Sequence, residues 1–489
     1  MENIIKKLPS YFEGYYANDN KLPLEITNVE YFLPHFKNLK NMNQTMFISI
    51  SKERRVFVNK GKDVSWTDGN EQIKDIGNRL GLIVTEKVIP HLLNETPQFI
   101  VDNTWEFMLS FSEMIRNQYN NAVVAITGSV GKSSTRLMIS HLLEEELVLE
   151  NRGNHNVRFA MPLYLSKLVN KPDICALEVS INALNSYDSG NMTKIIKPSI
   201  AIVTSVGEAH MSSFRDLSSV ARMKSNIFEG LTDGGTAIIN RDMDEEAFTI
   251  VEKAARLKTE NILTYSINNQ SADVYIKNVV HKKYIDEVKI QFFEKEYTYQ
   301  LQTASLGMVS NSLASLLSLH VLGKPIETYL NRFVDYRSLP KIMEKTQLKT
   351  QLETVFLLVD DSHNAAVPSM INAIDYGESI AEQFSGKKIF VIGQIMDLGR
   401  ITADTHQKMI EKLLDSDYDY IFGYGGHLKQ IFIDNQENTR LSWFENVEEL
   451  RDIILKTVTN DSLVILKGSV TGGNFSSLGM KIKKSTFLV

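Results

Sequence analysis

The chain has 489 residues, of which 43% are hydrophobic and 23% are charged, and its formal net charge is −6. The length predicts roughly three domains, and the acidic balance argues against a nucleic-acid partner. The single cysteine, Cys175, excludes an internal disulfide framework. No long apolar run indicates a signal peptide or a membrane span, so we expect a cytoplasmic protein.

Residues 1–119 are interpreted as an N-terminal α/β domain that binds substrate. Short apolar runs predict its strands, and helical spacing of apolar residues predicts its helices. The predicted strands are 45–50, 55–58, 82–84 and 99–101. The predicted helices are 72–80 and 105–119. This part of the chain carries no chemical motif of its own.

Residues 120–335 are predicted to form a central α/β domain with a mainly parallel sheet. Apolar runs alternate there with helical stretches, which is typical of parallel strands covered by helices. These runs are 123–126, 174–179, 200–206 and 237–239. Between residues 272 and 301 the apolar pattern changes to period two, which predicts a small antiparallel patch, and a helix is predicted at 311–322.

Residues 336–489 are predicted to form a Rossmann-like α/β domain with its own parallel sheet. The lysine-rich stretch 336–350 is interpreted as a linker into this domain. The predicted strands are 355–359, 388–392, 420–422 and 462–466. The predicted helices are 368–384, 403–414 and 447–458.

One stretch of the central domain, VVAITGSVGKSS at 123–134, has the layout of a phosphate-binding loop. A strand, a glycine turn and a helix N-terminus direct backbone N–H groups at one point, which suits a phosphate. Only two residues separate Gly128 from Gly131, so the loop is shorter than usual, and a tight turn with an incidental lysine is the alternative. The predicted phosphate-binding residues are Gly128, Ser129, Gly131, Lys132, Ser133 and Ser134, with Ser133 also a candidate ligand of Mg²⁺.

Four further residues follow apolar runs of the central domain or lie near them. Glu178 ends the run ALEVS, where a carboxylate commonly serves magnesium, and His210 follows a later run and could ligate a metal or hold a water. Asn154 and Asn156, in GNHN, are read either as substrate contacts or as turn residues. The alternative for Glu178 is a carboxylate that faces solvent, and the alternative for His210 is a structural histidine.

Three loops at strand ends predict a second half-site in the last domain. DDSHN at 360–364, GQIMDLG at 393–399 and LKGS at 466–469 each follow a predicted strand. A nucleotide bound between the two domains would suit this layout, since closure excludes water before phosphoryl transfer.

These segments, taken in order, resemble those of the Mur ligases, which are ATP-dependent amide ligases of peptidoglycan precursor synthesis. The resemblance covers about residues 121–470. The segments are AITGSVGKSS, GNHN with MPLYL, ALEVS, IAIVTSVGEAHMSSF with ARMKSNIFEGL, VSNSLAS, VDDSHNA with PSMINAI, VIGQIMDLG and ILKGS.

The resemblance implies that ATP phosphorylates a carboxylate and that an amine then attacks the acyl phosphate. It implies that Lys132 binds the outer phosphates, that Asn311 contacts the adenine, and that Asp361 and Asn364 contact the nucleotide from the last domain. The Mg²⁺ ligands that it implies are Ser133, Glu178, His210 and Lys224, the last of them a lysine that becomes an anion by carbamylation. ATP and Mg²⁺ are therefore the expected cofactors.

Within the family, the chain most resembles members that add D-alanyl-D-alanine to a UDP-linked muramoyl tripeptide. It departs from their pattern at both substrate ends. In the asparagine loop, Val157 replaces an asparagine and Ala160 replaces a glycine. In the last domain Val367 replaces a proline, and at the linker Ile342 replaces an arginine. A diverged ligase that joins a different acid and amine is therefore the second hypothesis. A non-catalytic ATP-binding partner is the third. The expected partners are small molecules, an acid and an amino acid or dipeptide amine.

Overall fold

The computed structural model describes residues 4–19, 21–34, 41–153, 155–185, 190–207 and 216–489, and these form three β-sheets with flanking helices. Its residues group into two compact units. The first unit comprises Met1–Ala125, Glu144–Ser199 and Glu229–Thr232, and the second comprises Ile126–Leu143, Ile200–Phe228 and Asp233–Val489. In the described part of the chain, no helix is long and apolar enough to cross a membrane.

The first sheet has five strands and lies in the first unit. Its strands are β1 Tyr15–Asn18, β2 Asn28–Glu30, β3 Thr45–Ile48, β4 Leu82–Thr85 and β5 Gln98–Ile100. The helices of this part are α1 Leu8–Tyr11, α2 Lys52–Val58, α3 Gly69–Gln72 and α4 Thr104–Asn117. The order is β1-β5-β4-β3-β2, in which β1 is antiparallel to β5 and the other neighbours are parallel. Every residue of β3, β4 and β5 is buried, so these strands form the core.

Two predictions for this region are wrong. Residues 55–58 were expected as a strand because Val56, Phe57 and Val58 favour one, yet they lie in α2. The Ser51 hydroxyl accepts the Arg54 N–H and caps this helix, which overrides the local strand preference. The helix expected at 72–80 is replaced by the end of α3 and a separate 3₁₀ turn at Gly77–Arg79.

The second sheet has nine strands and confirms both the mainly parallel core and the antiparallel patch. Its strands are β6 Ala122–Thr127, β7 Val148–Glu150, β8 Ile174–Glu178, β9 Ile200–Val203, β10 Thr236–Asn240, β11 Ile262–Ser266, β12 Val274–Val280, β13 Asp286–Phe292 and β14 Lys295–Leu301. The order is β14-β13-β12-β11-β10-β9-β6-β8-β7. Strands β9 to β12 run parallel, and β12, β13 and β14 form an antiparallel meander. The helices are α5 Lys132–Leu142, α6 Met161–Ser166, α7 Ile181–Leu184, α8 Thr193–Ile196, α9 Leu217–Ser225, α10 Glu245–Arg256, α11 Leu306–Val321 and α12 Ile326–Tyr329.

The third sheet has seven strands and lies in the second unit. Its strands are β15 Glu344–Lys349, β16 Val355–Asp361, β17 Lys388–Gly393, β18 Tyr420–Tyr424, β19 Leu441–Phe444, β20 Ser462–Lys467 and β21 Phe487–Leu488. The helices are α13 Val367–Ala381, α14 Thr402–Leu414, α15 Gly426–Asp434, α16 Val447–Thr457 and α17 Leu478–Lys484. The order is β19-β18-β17-β20-β16-β15-β21, parallel from β19 to β16, as expected for a Rossmann-like domain.

The stretch 336–350 is not simply a linker, because it contains β15. This strand pairs antiparallel with β16 from Glu344 opposite Asp360 to Lys349 opposite Val355. Only one of its six residues, Leu348, is buried. Five of the six residues of β15 are polar. The strand therefore lacks the apolar alternation by which strands are recognised in a sequence.

Candidate active site

The predicted phosphate loop joins β6 to α5 in a conformation that requires glycine. Gly131 has a φ of 87° and precedes the first residue of α5. A Cβ atom at this position would lie 2.4 Å from Asn311 Oδ1. Gly131, the N-cap residue of α5, contributes no side-chain cap. A helix N-terminus at this position favours binding of a phosphate oxygen.

The chain segment after β9 holds the loop in place. Thr204 Oγ1 donates to the Val130 carbonyl at 2.6 Å, and the Val130 N–H donates to Ser205 Oγ at 2.9 Å. The Gly207 N–H donates to Ser129 Oγ at 3.0 Å. Sequence reasoning missed Thr204 and Ser205, because it placed both within the predicted strand 200–206, whereas β9 ends at Val203. The loop is therefore organised before any ligand arrives.

Two lysines belong to this part of the second unit. Lys132 Nζ donates to the Gly128 carbonyl at 2.9 Å. Lys224, on α9, is only 2% exposed. Burial, together with the positive charge of Lys132, lowers the pKa of Lys224 well below its ordinary value. The Lys224 amine is therefore unusually easy to deprotonate.

Asn311 lies under the phosphate loop. Its Oδ1 atom accepts a hydrogen bond from Thr135 Oγ1 at 3.3 Å, and the residue is 7% exposed. Ser134 is equally buried, and its carbonyl accepts from the Tyr336 hydroxyl at 3.4 Å. The structure thus brings Asn311 to the loop, while its contact with the adenine stays a prediction.

Glu178 and Asn156 meet in the first unit. Asn156 Nδ2 donates to Glu178 Oε1 at 2.7 Å, and Glu178 is 4% exposed at the end of β8. Asn151, which sequence reasoning missed, exchanges two hydrogen bonds of 2.8 Å with the backbone of Glu178. Asn156 therefore orients the carboxylate. The contact of Asn156 with substrate stays a prediction.

Asp361 and Asn364 share a buried lysine in the last domain. Lys467 Nζ lies 2.7 Å from Asp361 Oδ2 and donates to the Asn364 carbonyl at 2.8 Å. The Met343 N–H donates to Asp361 Oδ1 at 3.1 Å. Burial raises the pKa of Asp361 above its ordinary value, although Lys467 and the Met343 N–H oppose the shift. Both carboxylate oxygens therefore have partners within the domain, while the Asn364 side chain is exposed.

The loops that follow β17, β18 and β20 converge on Gln394. Its carbonyl accepts the Ser469 N–H at 3.1 Å, its Nε2 donates to the Gly472 carbonyl at 2.6 Å, and its Oε1 accepts the His427 N–H at 3.3 Å. Two of the three loops predicted for the half-site, those after β17 and β20, thus meet, and the loop after β18, which was not predicted, joins them. The segment that begins α13 also approaches the phosphate loop, because a Cβ atom on Gly207 would lie 2.7 Å from Pro368 Cγ.

Two predicted residues, Asn154 and His210, lie outside the described residues. Among the residues that the structure describes, no group of three His, Cys, Asp or Glu side chains could hold a metal ion.

Comparison with known proteins identifies the same part of the chain. Residues 126–319 match the Mur ligase middle domain. The UDP-N-acetylmuramoyl-tripeptide--D-alanyl-D-alanine ligase of Buchnera aphidicola subsp. Baizongia pistaciae is 29% identical over 374 residues, which are 76% of this chain and 77% of that protein.

Two solved structures share the fold over nearly the whole chain. MurF from Acinetobacter baumannii has a TM-score of 0.76 at 19% identity and covers 98% of both chains. MurF ligase from Thermotoga maritima, solved in complex with ADP, has a TM-score of 0.73 at 19% identity and covers 94% of this chain and 98% of its own. These similarities show that residues 126–319 match the middle domain of the Mur ligases and that the chain shares the fold of the two MurF structures.

Proposed function

We propose that the protein joins the carboxylate of a UDP-linked muramoyl tripeptide to the amine of D-alanyl-D-alanine, and that ATP is converted to ADP and phosphate. The organised phosphate loop carries the proposal, because the reaction begins with transfer of the γ-phosphoryl group. The substrates are those named for the similar ligase of Buchnera aphidicola.

The proposed reaction has two steps. The substrate carboxylate attacks the γ-phosphorus of ATP, and ADP leaves with the electrons of the broken bond. The amine then attacks the acyl carbon, and phosphate leaves from the tetrahedral intermediate while the amine loses a proton. Lys132 and the N–H groups of α5 offset the charge on the transferring phosphoryl group.

Mg²⁺ is proposed to bind Ser133, Glu178, His210 and Lys224. Bound there, the ion would neutralise charge on the phosphate oxygens. The chemistry of the described donors fits a hard cation, since a hydroxyl and a carboxylate supply oxygen and Asn156 already orients Glu178. Lys224 fits only as a carbamate, because an amine is a poor ligand for Mg²⁺.

The remaining proposed roles follow the three predicted domains. Residues 1–119 are proposed to bind the acid substrate together with Asn154 and Asn156. Residues 120–335 are proposed to bind ATP through the phosphate loop and Asn311. Residues 336–489 are proposed to complete the nucleotide site, with exposed Asn364 as a contact and Asp361 holding Lys467 in place.

A phosphate-release assay tests the function. With ATP, Mg²⁺, UDP-muramoyl tripeptide and D-alanyl-D-alanine, the wild type is expected to release phosphate only when all four are present. Lys132→Met should lower the rate by roughly 100-fold or more. The matched control is Lys253→Met, on an exposed part of α10, which should leave the rate unchanged.

Two outcomes would contradict the proposal in different ways. Phosphate release with another acid and amine, but not with this pair, would keep the chemistry and reject the substrates. A biological effect that survives Lys132→Met would favour a non-catalytic ATP-binding role.

A further inference from the structure

Helix α2 carries two adjacent arginines whose surroundings differ. Arg54 Nε lies 2.9 Å from Glu86 Oε1, and its Nη2 donates to the Asp102 carbonyl at 3.0 Å. Arg55 is half-buried, and among the described residues its side chain has neither a carboxylate partner nor a hydrogen bond. The Arg54 guanidinium is therefore paired, whereas the Arg55 guanidinium has no acceptor among the residues that the structure describes.

The contacts of the Arg55 guanidinium are with aromatic rings. Its central carbon lies 4.1 Å from the centroid of Phe159 and 5.9 Å from that of Trp66. Burial lowers the pKa of Arg55 below its ordinary value, and only the nearby Tyr31 acts in the opposite direction. The pKa of Tyr31 is itself raised by burial, so its hydroxyl is neutral and supplies no counter-charge. The Arg55 charge is therefore partly desolvated and uncompensated.

Phe159, which contacts the Arg55 guanidinium, is itself packed among aromatic rings. The Phe159 ring stacks on Trp105 at 5.6 Å and contacts Tyr31 at 4.8 Å and Trp66 at 5.6 Å, measured between centroids. A guanidinium stacked by its face keeps its N–H edges free for a planar or tetrahedral oxyanion. This arrangement presents a pre-oriented donor fork at the surface of the first unit.

The location connects Arg55 to the acid substrate. Phe159 follows Asn156 by three residues, and Asn156 donates to the carboxylate of Glu178. The same short segment therefore contacts Arg55 at one end and orients Glu178 at the other.

We propose that Arg55 binds an oxyanion of the acid substrate, either a phosphate of its UDP group or a carboxylate of its peptide, while Phe159 and Trp66 hold the guanidinium plane. This inference rests on the proposed function. A bidentate oxyanion would supply the acceptors and the counter-charge that the described residues do not.

Direct binding and steady-state kinetics test the role. Titration of UDP-muramoyl tripeptide into the protein without ATP should show about 30-fold weaker binding for Arg55→Met, and KM for this substrate should rise by a similar factor. KM for ATP and kcat should change by less than about 2-fold, because ATP binds elsewhere. Arg55→Lys should restore little, since an ammonium neither stacks nor forms a fork.

Arg54→Met is the matched control. It removes the same charge one residue away, together with the Glu86 ion pair. It should lower the thermal midpoint more than Arg55→Met does, yet leave KM for the acid substrate nearly unchanged. If Arg55 only stabilises the fold, Arg55→Met should lower the thermal midpoint and leave KM for the acid substrate unchanged.

The same tripeptide without its UDP group distinguishes the two oxyanions. If Arg55 binds a phosphate, Arg55→Met and wild type should bind this compound equally, whereas a persistent 30-fold difference assigns a peptide carboxylate. Wild-type binding without turnover would reject the proposed function and leave the inference standing. Equal binding of both compounds by Arg55→Met and wild type, or no binding by wild type, overturns the inference.

Discussion

Lys224 lies on α9 with 2% of its surface exposed, and its environment favours the neutral amine. An ordinary lysine is protonated near neutral pH and therefore does not react with carbon dioxide. A neutral amine adds to carbon dioxide and loses a proton, which gives a carbamate with two oxygen donors and a negative charge. Burial thus supplies the reactivity that the proposed Mg²⁺ ligand requires.

We therefore expect Lys224 to carry a carbamate. Protein equilibrated with ¹³C-labelled bicarbonate should show a carbamate carbon signal by NMR, and Lys224→Arg should lack it. Lys253→Arg, at an exposed position of α10, should retain the signal. An unmodified Lys224 in active protein would contradict the prediction.

At the scale of single residues, the sequence revealed positions whose role is local. Gly131 and Lys132 were recognisable because a strand, a glycine turn and a lysine stand next to one another. The half-site prediction placed DDSHN and LKGS at one sheet edge, but it did not state that Asp361 pairs with Lys467, because that contact depends on the register of β16 against β20. Arg55 gave no signal either, since the rings that desolvate it come from separate segments.

The loop after β17 depends on a histidine from the following helix. His406, on α14, is fully buried, its Nε2 accepts the Ile395 N–H at 2.9 Å, and its Nδ1 lies 2.7 Å from the Thr402 carbonyl. These two contacts require a neutral ring with its proton on Nδ1. Burial lowers the pKa of His406 below its ordinary value of 6.5, the Thr402 carbonyl partly opposes this, and His427 adds to it.

The pH dependence of stability follows from the direction of this shift. The unfolded chain protonates His406 near pH 6.5 and the folded chain only at lower pH, so the unfolded state binds more protons in this window. The contribution of His406 to stability is therefore complete above pH 6.5 and declines as the pH falls towards the folded pKa.

We expect His406→Gln to lower the free energy of unfolding by about 1–2 kcal/mol at pH 8, measured by urea unfolding. The difference from wild type should shrink below pH 6.5, by up to about 1.4 kcal/mol per pH unit. His427→Gln, which changes an exposed neighbour, should show the same trend only weakly, because His427 is the smallest contributor to the shift. A constant difference across this range would contradict the assignment of a neutral His406.

At the scale of elements, apolar strands and amphipathic helices were predicted well where burial and periodicity agree. β16, β20 and α14 are examples, since their apolar residues form the core of the last domain or face it. β15 was missed because it is mostly polar and is recognised only by its pairing with β16 and β21. α2 was mistaken for a strand because its cap, not its composition, fixes it as a helix.

A buried ionic cluster joins the antiparallel meander to the last domain within the second unit. Asp286, at the start of β13, is fully buried and accepts the Ala304 N–H at 2.6 Å and the Tyr376 hydroxyl at 3.1 Å. Lys345 Nζ lies 3.8 Å and His281 Nδ1 3.6 Å from its carboxylate. Burial alone would raise the pKa of Asp286, but His281, Lys345 and two backbone N–H groups outweigh it and lower the pKa.

We expect Asp286→Asn to lower the free energy of unfolding by about 3–5 kcal/mol, because the largely buried ammonium group of Lys345 would then lose its carboxylate partner. Adding Lys345→Met should recover part of this loss, so the two changes are not additive in urea unfolding. Glu296→Gln, which alters an exposed ion pair on neighbouring β14, should have little effect. Strict additivity would show that the two side chains do not interact.

At the scale of the whole molecule, the alternating runs correctly predicted three α/β sheets, because strand order in such folds follows from short parallel crossovers. The grouping of residues into compact units was beyond sequence reasoning, since it depends on contacts between distant segments. Those contacts include the Asp286 cluster, whose members β13, β15 and α13 were assigned to different predicted domains.

The division into two units has a consequence for how the protein can change. The chain passes between the units five times, after residues 125, 143, 199, 228 and 232. Neither unit is therefore encoded by one continuous stretch of gene, and a single recombination event cannot transplant the unit that carries Arg55, Asn156 and Glu178 into a relative. If this unit binds the acid substrate, as proposed, a new substrate preference is expected to arise through individual substitutions within it rather than through exchange of the unit.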